Sequence, residues 1–122
     1  LKVPPGLGRI ERAVARLYIA YFARLPEPGG LAYWSALLRS GRLDLGGVSA
    51  WFASSHEFRS TYGALTTAGF VRLAYRNVLD REPDRSGFEY WSGRLATGLS
   101  PGQLMVGFSE SPEFVRRTAP PP

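Results

Sequence analysis

The sequence predicts an all-α fold, a compact bundle of about eight short helices built from two tandem pseudo-repeats. Three observations lead there. The first is a long echo: Arg24-Leu25-Pro26-Glu27-Pro28-Gly29-Gly30-Leu31-Ala32-Tyr33-Trp34 returns as Arg81-Glu82-Pro83-Asp84-Arg85-Ser86-Gly87-Phe88-Glu89-Tyr90-Trp91, a constant 57 positions on (24 to 81). Val14 and Tyr18 match Val71 and Tyr75, and Leu38 and Gly41 match Leu95 and Gly98. Phe52, Ser55, Glu57 and Phe58 match Phe108, Ser111, Glu113 and Phe114 one position closer, so the first copy carries an extra residue between Gly41 and Phe52. The second observation is apolar spacing at i, i+4 and i+7 with no alternating strand pattern. The third is punctuation by Pro, Gly and cap-type Ser at regular points.

Taken in order, Ile10, Val14, Leu17, Tyr18, Tyr21 and Phe22 predict a first helix from about Leu7 to Ala23. Its counterpart runs from Phe70 to Leu79. Each is expected to stop before Leu25-Pro26 or Glu82-Pro83, because the residue preceding proline resists helical geometry. Second helices are expected over about Gly30–Ser40 and Ser86–Thr97, the latter opened by Ser86-Gly87-Phe88-Glu89 as a capping box. Gly41 and Gly98 stand where a left-handed C-terminal cap belongs. Ser100-Pro101 and Asp44 open the third helices, Ser55 and Ser111 the fourth, and Thr66 or Thr67 begins the second copy after the joint at Gly63–Gly69. Glu57 and Glu113 oppose the positive ends of the last pair.

A half of about 55 residues is marginal alone. The 122 residues are therefore expected to form one domain, with repeat 1 over about 7–62, repeat 2 over about 66–117, and the proline-rich 119–122 as linker. Three Trp, seven Phe and six Tyr supply the core. The net charge of +5 comes from scattered arginines, Lys2 being the only lysine, interleaved with ten acids. That pattern reads as a solvated surface, with Arg9, Arg12 and Arg16 as a solvent-facing helical stripe, and predicts no nucleic-acid partner. Without cysteine there is no disulfide, thiolate metal site or cysteine nucleophile, and no apolar run is long enough for membrane insertion.

No catalytic residues are expected. His56, the one histidine, is flanked by Ser55 and Glu57, and three adjacent residues cannot converge as a triad. Asp80, Glu82 and Asp84 imitate the opening of a calcium loop, but Arg85 and Trp91 fill the positions where such a loop needs Gly and Glu. No metal and no cofactor follow. Arg24 and Arg81 end their helices, and each guanidinium is expected to fork onto the repeated Glu57 or Glu113. Spacing assigns Trp34 and Trp91 to the core and Tyr33 and Tyr90 to the rim. Trp51 replaces Gly107 of the other copy, so the shared fold does not demand it. With Arg42 and Arg59 near it in sequence, it is the first candidate for a sugar-stacking platform; Tyr33, Tyr90, Trp34, Trp91 and Arg85 complete the candidate ligand-binding set.

The stretch from Phe70 to Phe114, bearing Val71, Tyr75, Leu79, Arg81, Pro83, Asp84, Gly87, Tyr90, Trp91, Leu95, Gly98, Phe108, Ser111 and Glu113, resembles the bacterial domain of unknown function 4214 family. The first copy departs from that pattern, with Glu27 for the Asp and Ala23 for Asp80. The resemblance implies an all-α accessory module of secreted or cell-surface proteins, attached to polysaccharide-active enzymes, adhesins or surface-layer-like chains, with no catalytic residues to carry over. The functional expectation is a non-catalytic module that binds a cell-wall or environmental polysaccharide. The alternative is a structural protein–protein or surface-layer assembly module whose partner is another surface protein. In both readings Arg24, Arg81, Gly30, Gly87, Glu57 and Glu113 are structural.

Overall fold

The computed structural model describes residues 1–122 and contains eight helices and no strand. They are α1 (Arg9–Phe22), α2 (Pro28–Arg39), α3 (Leu45–Ala53), α4 (His56–Tyr62), α5 (Thr67–Ala74), α6 (Arg85–Ala96), α7 (Pro101–Ser109) and α8 (Pro112–Thr118). From α5 the chain runs without a break into a π-helical turn, Tyr75–Leu79. α1 occupies the centre: Val14, Ala15, Leu17, Ala20 and Tyr21 are fully enclosed, and it touches α2, α3, α4, α7 and the π turn. A single apolar core joins α1, α3, α4, α5, α7 and α8 across both halves. That continuity is what two marginal halves require.

The helix starts follow the local chemistry. Ser55 Oγ accepts from the Phe58 amide and Ser111 Oγ from the Phe114 amide, while Asp44 and Thr66 cap α3 and α5. Ser100 and Gln103 form a reciprocal capping box with Pro101 at the first helical position. The start of α6 differs from expectation: Asp84, not Ser86, is the cap, its Oδ1 accepting from the Gly87 amide at 2.9 Å. A carboxylate two residues earlier, directly after Pro83, captures that amide and leaves Ser86 inside the first turn.

The first helix of each copy ends where expected, through a device other than the proline. α1 and the π turn stop two or three residues before the proline pairs, at Ala23 (φ 52°) and Asp80 (φ 54°), the two non-glycine residues with positive φ. A left-handed residue ends each helix before the proline restriction is reached. Gly41 and Gly98 also have positive φ, just beyond α2 and α6, as their positions suggested.

The arginine stripe on α1 is only partly solvent face. Arg16 is buried and forks onto Glu110 through Nε (2.8 Å) and Nη2 (3.0 Å), tying α1 to the end of α7. Arg12 turns back onto the Leu7 carbonyl. No helix is long and apolar enough to cross a membrane.

Candidate functional site

Corresponding positions of the two copies build the same aromatic frame. Tyr18 meets Phe52 edge-on at 5.0 Å, and Tyr75 meets Phe108 at 5.2 Å. Trp34 packs against Phe52 at 5.2 Å, and Trp91 against Phe108 at 5.3 Å. Both tryptophans are half-buried, and Tyr33 and Tyr90 stand edge-on to them with 60% and 54% exposure. Tyr is the more exposed of each pair, as 100° per residue predicts, but the Trp rings cap the core at its edge and are not enclosed in it. The motif glycines explain themselves here. A Cβ on Gly30 would lie 2.5 Å from Tyr18 Oη, and one on Gly87 would lie 2.4 Å from Tyr75 Oη. Each glycine lets a helix close over a tyrosine hydroxyl.

Arg24 follows the left-handed Ala23 and points back across the frame. Its Nε and Nη2 donate to the two oxygens of Glu57 at 2.8 and 2.7 Å, and its Nη1 donates to the Leu25 carbonyl and lies 3.2 Å from Glu27. The guanidinium sits over the Tyr18 and Phe22 rings, 5.2 and 5.6 Å from their centroids. In the second copy Arg81 Nη1 reaches Glu113 at 3.0 Å, a single rather than forked contact. The expected Arg–Glu pairing is therefore present twice. The hydrogen bonds from Arg24 hold the Glu57 carboxyl below the usual carboxylate range, and Glu57 in turn raises Arg24. Glu27 is also lowered, first by its own backbone amide and then by Arg24.

This frame floors a cleft of about 320 Å³ lined by Tyr18, Phe22, Arg24, Trp34, Trp51, Phe52, Ser54, Ser55 and Glu57. Trp51 forms its wall from α3 and is 60% exposed. The cleft thus unites Trp51 and Trp34 with Arg24 and Glu57. It leaves out the remaining candidates. Arg59 lines a separate depression with Phe58, Gly63 and Phe70, and Arg42 lines another with Arg9, Leu38 and Leu43. Arg85 is exposed and paired with Glu89 at 3.0 Å on α6. Tyr90 and Trp91 belong to the second copy, where Tyr90 Oη accepts from Arg94 Nη1 at 3.1 Å. Of the lining residues only Trp51 and Trp34 were ligand-binding candidates: Arg24 and Glu57 read as structural, and Tyr18, Phe22, Phe52, Ser54 and Ser55 announce only core packing and capping.

Chemically, the cleft offers an aromatic wall, a clamped ion pair and two serine side chains. Ser54 Oγ and Ser55 Oγ both donate to carbonyls of α3, and His56 is exposed, its Nε2 3.2 Å from Ser60 Oγ. No three His, Asp or Glu side chains gather as metal ligands. Around Asp80, Glu82 is bound by Arg76 and Asp84 is occupied as a cap.

Compared with known families, residues 49–118 match the model described as Domain of unknown function (DUF4214). The chain belongs to this family. No curated protein matches it. The matched span starts inside α3 and ends at the last residue of α8, so this DUF4214 chain places Trp51 and Glu57 within the family region, while Arg24, in the α1–α2 connection, and Trp34, on α2, precede it.

Proposed function

We propose that this DUF4214 chain is a non-catalytic binding module of a larger secreted or cell-surface protein, and that it holds a cell-wall or environmental polysaccharide against Trp51. The supporting observation is the indole itself. It stands 60% exposed in a cleft that a second tryptophan, Trp34, and the polar groups of Arg24 and Glu57 also line. An apolar ring next to fixed polar groups suits the mixed C–H and O–H faces of a sugar. A core role does not account for Trp51, because the other copy builds the same frame with Gly107 in its place.

Affinity electrophoresis against a panel of bacterial and plant polysaccharides tests this reading. Saturable binding is expected, weakened about tenfold or more by Trp51→Ala while the helical circular dichroism is unchanged. A chain that binds no polysaccharide but self-associates with rising concentration in sedimentation would replace it with the assembly reading.

A further inference from the structure

The chain as a whole is basic, with net charge +5, which would recruit acidic glycans to its exterior. The Trp51 cleft does not share that bias. Its lining holds one cation, Arg24, and one anion, Glu57, among five aromatic residues and two serines. The two charges are spent on each other through a fork of 2.8 and 2.7 Å, and Arg24 Nη1 donates to the Leu25 carbonyl. The hydrogen bonds favour the ionised form of both partners, so the pair stays closed and is neutral as a unit. Glu27, 3.2 Å from Arg24, lies outside the lining and open to water. Arg59 and Arg42 line other depressions. No charge of the lining is left without a partner.

A charged sugar entering beside the indoles gives up water around its ion and finds no unpaired countercharge in exchange, a cost that applies to either sign. A hydroxyl loses less. The remaining lone pairs of the Glu57 carboxylate accept from it, while the open face of Trp51 covers the C–H face of the ring. We propose that the Trp51 cleft takes uncharged saccharide units and discriminates against uronic acids and free amino sugars alike. This rests on the carbohydrate reading above and names its ligand class. Acidic polymers meet the arginines of the exterior instead, through an attraction that salt screens.

Calorimetric titration with three hexamers of the same β-linked backbone tests this: glucose (neutral), glucuronate (acidic) and, at mildly acidic pH, glucosamine (basic). The Trp51-dependent affinity, the part lost in Trp51→Ala, is expected to be about fivefold or more higher for the neutral hexamer than for either charged one, the lower end for a polar group desolvated without a partner. Residual glucuronate binding should survive Trp51→Ala and vanish in high salt. Glu57→Gln releases the Arg24 fork and should raise glucuronate binding by about threefold or more; no rise would overturn the role given to the pair. Trp51-dependent binding in which a charged hexamer equals or exceeds the neutral one would overturn the neutral selection and leave the carbohydrate reading standing. Failure of all three hexamers to bind in a Trp51-dependent way would remove both.

Discussion

Gly30 and Gly87 hold positions where a single added methyl group would collide with a tyrosine hydroxyl. Inside an ordinary helix Gly→Ala is stabilising by about 1 kcal/mol. Here the sign reverses: Gly30→Ala should destabilise by about 1–3 kcal/mol in chemical denaturation, because Tyr18 must leave its place against Phe52. Tyr18→Phe removes the offending oxygen and leaves the ring carbon 3.5 Å away, an ordinary contact. The double variant Tyr18→Phe/Gly30→Ala should therefore recover most of the loss, and additivity of the two changes would refute the close-approach account. Glu57 supports a second prediction at this scale. Its folded-state carboxyl lies below the ordinary value of 4.5, so on acidification the unfolded chain takes up the proton first. The forked pair therefore stabilises above that pH and is lost as pH falls through the lowered folded value. Glu57→Gln should make the fall of thermal midpoint below pH 4.5 shallower, with only a modest loss at neutrality because the pair is largely exposed.

Helices were legible where spacing and caps agreed, and ambiguous where two caps competed. α7 and α8 begin at Ser-Pro pairs, a signal with one physical reading. α6 begins among Asp84, Ser86 and Glu89, three groups able to serve its first amides, and only the direction of the chain after Pro83 decides among them. The π turn has no sequence sign, since it shifts the hydrogen bonding of Asp80 to the fifth residue back without changing the repeat spacing. The left-handed Ala23 was equally invisible, because alanine is a helix former. It yields a prediction: Ala23→Gly should stabilise by about 0.5–1 kcal/mol, since glycine adopts that geometry without a Cβ clash. A lowered midpoint in urea would show that the residue is not held left-handed in solution. The candidate site was legible in part for a similar reason. Trp51 stood out by replacing a glycine, whereas Arg24 and Glu57, because they recur, read as structural and not as part of a cleft. Arg59 did not join them because two residues along a helix turn the side chain about 200°, away from Glu57. Arg42 lies beyond the cap of α3, about 10 Å along the helix from Trp51.

Across the whole molecule the halves are joined at the α3–α7 crossing, where Gly46 and Gly102 correspond, and by polar contacts that the repeat does not encode. A Cβ on Gly102 would lie 3.1 Å from the Ala50 backbone nitrogen, so α3 and α7 cross backbone to backbone. Beneath that crossing Ser49 Oγ donates to the Gly102 carbonyl at 2.8 Å and meets the Tyr21 hydroxyl at 2.7 Å, fully enclosed. Burial pushes the Tyr21 hydroxyl well above its ordinary value, which keeps it protonated and able to donate to Ser49 Oγ, whose own proton goes to the Gly102 carbonyl. Asn77 Nδ2 adds a bridge from the π turn to the Ala20 carbonyl (2.9 Å) and the Tyr62 hydroxyl (3.1 Å). Neither Ser49 nor Asn77 has a like residue in the other copy, where Met105 and Ala20 stand. This is why the internal echo revealed two units but not the joint between them. A peptide spanning 66–117, deprived of α1 and α3, should show no cooperative thermal transition by circular dichroism. A sigmoidal melt would mean that one copy carries its own core.

Val3 is buried, its amide donating to the Thr118 carbonyl at 2.7 Å, while Lys2 Nζ donates to the Arg117 carbonyl at 2.8 Å. The segment at Lys2-Val3 and the final helix are thereby clasped at one spot. Tension drawn through both ends would load this small latch before any helix felt it, and opening the latch would lengthen the molecule only slightly. Under pull, the module would hang sideways from the line of force like a bead on a loop, its cleft undistorted until the latch gives way.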